Sequence, residues 1–575
     1  MLIALLINLV LLVAQPFRAL RRTLAFRHGG YVLLEVDGRV VDTNPPKQPL
    51  LERWTQPQRP ALSVTSVQEL ARFLMVDKRM TGLVIRVRAL AAGPSVLASF
   101  RDVLVKLRDA GKEVVVHAPM GADSATMFLA SAAKRIVVGP ETHVAPLGYA
   151  VEMQFIKRAL DRLGVEPQVF ACGMYKSAAE PLVREDMSAP QREQLEALLD
   201  NRHALLVDAL AERCGGDRTK ANRWIDEGPH RATRALELGL VDHVAFDDEL
   251  DELLAPTPGK QARYVSSSRY LAVKRPTKWR RLWPKPVVGL IEVHGPIVSD
   301  VRFSMGVMAA EQPLVRALRV ARLDPSIAAV VLHIDSPGGS ALASHRIHHE
   351  VERLAAEKPV IAYLSNVAAS GGYYVAAPAR SIIAKPQAVT GSIGVVATHF
   401  VLRGLLEKLG VSTDVVKRGA RADLNSMARP LEDSEREVLE KDIGSFYSTF
   451  LEVVAKGRKR SVEDIEKLAQ GRVYSGIDAQ ACGLVDELGG LDRAFERAAE
   501  FAGHAHLDPV LIRPPRFSIP PPPVVPKTAE TVLSALGLDR FVGERLVLGL
   551  NLRQNDRILF YEPFGSDGRT WFDPM

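Results

Sequence analysis

The sequence predicts an α/β protein in which one domain occurs twice, and two observations carry that prediction. Apolar strand-like runs alternate with helical stretches, the pattern of βαβ units feeding a largely parallel sheet. The same order of elements then recurs at a nearly constant displacement. In the first copy the elements are strands at 31–36 and 82–87, a helix at 96–109, and strands at 113–117 and 134–138. In the second they are strands at 288–293 and 329–334, a helix at 341–356, and strands at 360–364 and 381–384.

The displacement can be read directly. AAKRIVVGP ends at Pro140 and PARSIIAKP at Pro386, a shift of 246 residues (386 − 140), and RLGV at 162–165 keeps that shift to KLGV at 408–411. The pairs LLEVDG/LIEVHG and GLVDHV/GLVDEL match at slightly different shifts, as short loop insertions produce. The expected division is therefore 1–22 as an N-terminal membrane anchor or signal-like segment, 30–254 as the first repeat, 255–286 as a basic linker, 287–503 as the second repeat, and 504–575 as a proline-rich spacer and tail.

Composition constrains function only loosely. The 575 residues are 47% hydrophobic and 25% charged with a net charge of +7, an ordinary globular balance with a modest basic excess. Cys172, Cys214 and Cys482 are odd in number and far apart, which argues against a disulfide framework or a CxxC metal site. Basic residues concentrate at 255–286, where Lys260, Arg263, Arg269, Lys274, Arg275, Lys278, Arg280, Arg281 and Lys285 surround Trp279 and Trp283 without one acidic residue. A solvated connector is the simplest reading, and an anionic membrane surface suits the tryptophans better than nucleic acid does. Residues 1–14 are almost unbroken Leu, Ile, Val and Ala, followed by Arg18, Arg21 and Arg22. The run is short for a spanning helix, which needs roughly 20 apolar residues, and it lacks a clear A-x-A cleavage site, so an uncleaved anchor is expected.

The candidate chemistry centres on Ala368-Ala369-Ser370-Gly371-Gly372-Tyr373. A strand leads in and a helix is expected to follow, which puts Ser370 at a strand-to-helix turn with the Gly371 amide available to an oxyanion. The repeat shift carries Ser370 onto Ser124, which is followed by Ala125-Thr126; likewise Ser336-Pro337-Gly338-Gly339 has no Gly pair near 88–90. Only the second copy keeps both glycine-rich turns. A serine needs a base. His345, His348 and His349 share a helix face, but HHEVE is not HExxH and no acidic or Cys ligand stands at a recognised spacing, so no metal and no cofactor are expected. Lys176, among the small and apolar residues of Gly173-Met174-Tyr175-Lys176-Ser177-Ala178, is the stronger candidate, and its shifted counterpart is Ala422. A lysine base must be neutral, which burial favours.

These motifs, with Thr390-Gly391-Ser392-Ile393-Gly394-Val395, Gly471-Arg472-Val473-Tyr474-Ser475-Gly476 and Gly483-Leu484-Val485-Asp486, resemble the signal peptide peptidase A family in its long tandem form, over about 31–503. The resemblance implies two tandem ClpP/crotonase-like domains and a Ser/Lys dyad protease in which Ser370 attacks and Lys176 takes its proton. It further implies that Ser392 orients Lys176 and that amides of Gly371 and of Gly338 or Gly339 form the oxyanion hole. The expected partners are signal peptides and other hydrophobic peptides, the membrane, and further copies of the chain in a homotetramer. The expected setting is a bacterial inner membrane, single-pass or peripheral, with the catalytic body extracytoplasmic. The arginines after the apolar run depart from this, since the positive-inside rule would leave the body cytoplasmic. The rival readings are a crotonase-like acyl-CoA enzyme, which needs neither Ser370 nor Lys176, and a non-catalytic membrane scaffold.

Overall fold

The computed structural model describes residues 7–17, 25–26, 29–44, 61–255, 257, 260–276, 285–299, 307–513 and 558–561. The chain forms two compact units, Met1–Ala150 with Leu199–Lys285, and Val151–Leu198 with Pro286–Met575. The repeats in sequence and the units in space therefore differ: the segment 151–198, which carries Lys176, packs with the second repeat.

In the first unit a parallel sheet runs in the order His243–Val244, Arg135–Val138, Glu113–Ala118, Met80–Ala91, Gly30–Val41, Tyr264–Ser266. Its central strands are apolar on both faces, as a sheet covered by helices requires. Leu83, Val84 and Ile85 are all fully buried. The expected strands and the helix, here Pro94–Asp109, are present; Gly30–Val41 and Met80–Ala91 extend to 12 residues each, and Arg135–Val138 begins one residue later than expected. The expected linker is in part structured: Tyr264–Ser266 adds an edge strand, and Ser267–Lys274 is a helix that buries Tyr270 and ion-pairs Lys274 with Asp77. Trp279 and Trp283 lie outside the described residues.

The second unit contains a mainly parallel sheet in the order Val473–Ser475, Val389–Gly391, Val360–Ala369, Ile327–Ser336, Val287–His294, Asp508–Leu511, with Ser381–Ala384 also beside Val360–Ala369. Val360–Ala369 is buried along its whole length and continues five residues beyond the predicted Leu364, up to Ser370. A second sheet in this unit follows the order Ala309–Ala310, Ile297–Val298, Gly338–Ser340, Ile558–Tyr561, Val395–Val401, Glu166–Cys172. The α/β class, the parallel sheets and the repetition all agree with the sequence reading. The proline-rich run 514–526 and the apolar positions 532–548 lie outside the described residues. Of the tail, only the backbone strand Ile558–Tyr561 is described.

Among the described residues, no helix is long and apolar enough to cross a membrane. Residues 7–17 are helical and expose Leu9, Val10, Leu12, Val13 and Phe17. The remainder of the expected anchor lies outside the described residues.

Candidate active site

Three strand pairings in the second unit bring Lys176, Ser370 and Ser392 together. Glu166–Cys172 pairs antiparallel with Val395–Val401, Cys172 opposite Val395, so the chain leaving one strand toward Lys176 meets the chain entering the other from Ser392. Val360–Ala369 pairs with Val389–Gly391, Ala369 beside Gly391, and the Ser370 amide donates to the Gly391 carbonyl at 2.8 Å. Ile327–Ser336 lies on the other side of the same strand, with Ser336 beside Ala368, which delivers the Ser336–Gly339 turn next to Ser370.

Lys176 Nζ stands 2.8 Å from Ser370 Oγ, 2.8 Å from Ser392 Oγ and 3.1 Å from the Ser392 carbonyl oxygen. Ser370 and Ser392 are fully buried and Lys176 is 5% exposed. An amine this close to a serine hydroxyl can accept its proton once the amine is neutral, and removing water from around it disfavours the ammonium.

Backbone strain is concentrated here. Ser370 has φ 53° and ψ −116°, and Ser392 and Gln470 have φ 52°. Such values are costly for residues with a Cβ and persist only where the surroundings fix them. Around Ser370 the constraint is the Gly391 hydrogen bond on one side and the helix Gly371–Ala376 on the other, whose first amides have no intrahelical acceptor. A Cβ at Gly372 would lie 2.8 Å from the Ser336 carbonyl oxygen, so the paired glycines admit the neighbouring turn. Gly338, at φ 103°, donates its amide to Ser336 Oγ at 3.2 Å, and Gly339, at φ 148°, lies against the Ile297 backbone.

Sequence reasoning missed the cradle of Lys176. Gly471, at φ 75°, packs on the lysine so closely that a Cβ would stand 2.7 Å from both its amide nitrogen and its Cβ. The Gln470 carbonyl accepts from the Tyr175 amide at 2.8 Å, and the Gly471 amide donates to Ile393 at 2.8 Å. Buried Gln194 donates to the Tyr175 carbonyl (3.2 Å) and Ser177 Oγ (3.0 Å), and accepts from the Val473 amide (3.2 Å). Gly471 opens the GRVYSG motif, so a signal for it existed. Gln194 sits in a polar helical stretch, where nothing in the sequence marks it.

The other candidates lie elsewhere. Ser124 begins the helix Ser124–Ala130 behind an Asp123 cap and directs its hydroxyl to the Gly148 carbonyl at 3.3 Å. His345 Nδ1 meets the Tyr374 hydroxyl at 2.8 Å, and burial pushes the His348 imidazole down to about 4, so both serve the packing of the helix behind Ser370. Cys172, Cys214 and Cys482 are free thiols.

The model of peptidase family S49 matches this chain twice, at residues 106–257 and 352–505. The chain is 33% identical over 435 residues to the chloroplastic serine protease SPPA of Arabidopsis thaliana, covering 74% of this chain and 64% of that protein. It is 30% identical over 506 residues to Protease 4 of Haemophilus influenzae, covering 84% of this chain and 80% of that one. A putative signal peptide peptidase SppA of Enterococcus faecium is 36% identical over 186 residues, 32% of this chain and 54% of that protein. The family's model matches both halves and the relatives are proteases, which favours neither an acyl-CoA enzyme nor a scaffold: the chain belongs to peptidase family S49 and is a serine protease.

Proposed function

We propose that this protease uses Ser370 as nucleophile and Lys176 as its general base, with Ser392 orienting the lysine and amides of Gly371 and of Gly338 or Gly339 receiving the oxyanion. The observation that carries the reading is the 2.8 Å approach of Lys176 Nζ to Ser370 Oγ, both side chains being buried. Ser370 attacks the peptide carbonyl, its proton passes to neutral Lys176, and the resulting ammonium returns a proton to the leaving amine. Water then hydrolyses the acyl-enzyme by the same route in reverse. The substrates are hydrophobic peptides, released signal peptides foremost. The name of the Enterococcus relative and the exposure of Met174, two residues before the lysine, support that choice. The apolar helix at 7–17 gives peripheral attachment to a bacterial inner membrane, with an extracytoplasmic body working as a homotetramer of chains built from repeats 30–254 and 287–503. A serine-directed fluorophosphonate tests the nucleophile: it labels the native chain once, at Ser370, and Ser370→Ala abolishes both labelling and peptide cleavage. Undiminished labelling of that variant would refute the assignment.

The tail supports a peptide bound as a strand. Ile558–Tyr561 lies antiparallel between Gly338–Ser340 and Val395–Val401, with Gly338 opposite Tyr561, Gly339 opposite Phe560 and Val396 opposite Leu559. Extended peptides commonly bind by completing a sheet in this way. The tail thus competes with substrate, and deleting 558–575 raises kcat/KM for a short peptide, by about tenfold if the tail fills the cleft about 90% of the time. Equal kcat/KM in both forms would exclude the competition.

A further inference from the structure

We propose that Glu292, His294 and His333 form a binding site for a divalent late transition ion, zinc foremost, separate from the Ser370 pocket. Val287–His294 and Ile327–Ser336 are adjacent parallel strands with Glu292 beside His333 and His294 beside Asp335. The three side chains share one face of the sheet, and one donor atom from each lies within 4.8 Å of the others. His294 Nε2 and His333 Nδ1 are 3.2 Å apart, with the rings at 89°. Two imidazole nitrogens at about 2.0–2.1 Å from a tetrahedral zinc stand about 3.3–3.4 Å apart, so the two histidines already stand close to the spacing that a shared ion requires. Glu292 and His294 are partly exposed, leaving a path for the ion and room for water as a further ligand, while His333 is buried and fixed.

The first repeat shows what replaced what. There Glu35 stands beside Arg86 in the same register, and the two form an ion pair at 3.8 Å. In the second repeat the carboxylate is kept as Glu292, the guanidinium gives way to His333, and Asp37 gives way to His294. An arginine and an aspartate have been exchanged for two imidazoles, which can hold an external cation beside the retained carboxylate. Two imidazoles and a carboxylate are a donor set that zinc accepts and that magnesium and calcium, which take oxygen ligands, do not favour.

The site also touches the catalytic framework. Asp335, two residues beyond His333, accepts from Asn366 Nδ2 (2.9 Å) and from the Val367 amide (3.2 Å) on the strand that ends at Ser370. A metal clamping Val287–His294 to Ile327–Ser336 would hold that support in register.

The test uses the untagged full chain, stripped with chelator, desalted and titrated with zinc. The expected result is one zinc bound per chain, a rise in Tm with zinc, and tetrahedral cobalt bands in the visible spectrum on substitution with cobalt. Glu292→Gln combined with His294→Gln changes only partly exposed side chains, so the fold is kept, and it is expected to lose all three signals. Equal zinc stoichiometry in that variant, or no zinc retained by the native chain, would overturn the site and leave the two histidines as a hydrogen-bonded pair.

Discussion

Lys176→Met is expected to lower kcat/KM by about 10²–10⁴-fold, the range a positioned general base contributes, with little change in Tm. Methionine keeps the length and apolar body of the side chain, so the packing against Gly471 survives while the amine facing Ser370 and Ser392 is lost. Removing the base leaves the Ser370 hydroxyl at its ordinary, weakly nucleophilic state at neutral pH. Fluorophosphonate labelling should slow in parallel with cleavage, since both require an activated serine. A variant that cleaves peptides at the native rate would sink the dyad, whatever its structure. Lys176→Arg does not rescue, because a guanidinium stays protonated and cannot serve as base.

Gly471→Ala is expected to cost about 10²-fold in kcat/KM through displacement of the lysine, although residue 471 has no side chain in the native chain to touch substrate. Two penalties combine there. The left-handed conformation costs a residue with a Cβ roughly 1–2 kcal/mol, and the new methyl collides with the Lys176 main chain at 2.7–2.8 Å. Gly503→Ala separates them: Gly503 has φ 74° with nothing within 4 Å of a Cβ, so it pays the conformational cost alone. A larger loss of stability at 471 than at 503, with activity lost only at 471, would identify the collision with Lys176 as the cause. Native activity in Gly471→Ala would show that the cradle is slack.

Much of this molecule was written locally. Apolar runs bounded by glycine, proline and charge define strands such as Val360–Ala369, and the shift between the repeats exposes Ser370 and its glycines as what one copy kept. Lys176 was legible for a similar reason, as a lone cation among small and apolar residues. Local pattern fails where non-local strand pairing decides. Nothing near residue 176 states that Glu166–Cys172 will pair with Val395–Val401, yet that register sets the lysine against Ser392 and moves 151–198 out of the unit its repeat suggests. The strand Ile558–Tyr561 was hidden for the same reason, since four apolar residues near the end of a long tail carry no address.

By itself, then, the sequence determined the α/β repeat, the nucleophile candidate and the base candidate, because these depend on residue type and period. Only the tertiary structure decided their union in one pocket, the glycine cradle at 471, the clamp by Gln194 and the Glu292–His294–His333 cluster. The first three depend on which strands lie side by side, because paired strands deliver the segments that carry these residues, and the cluster depends on register as well, since a slip of one residue between Val287–His294 and Ile327–Ser336 would put its histidines on opposite faces.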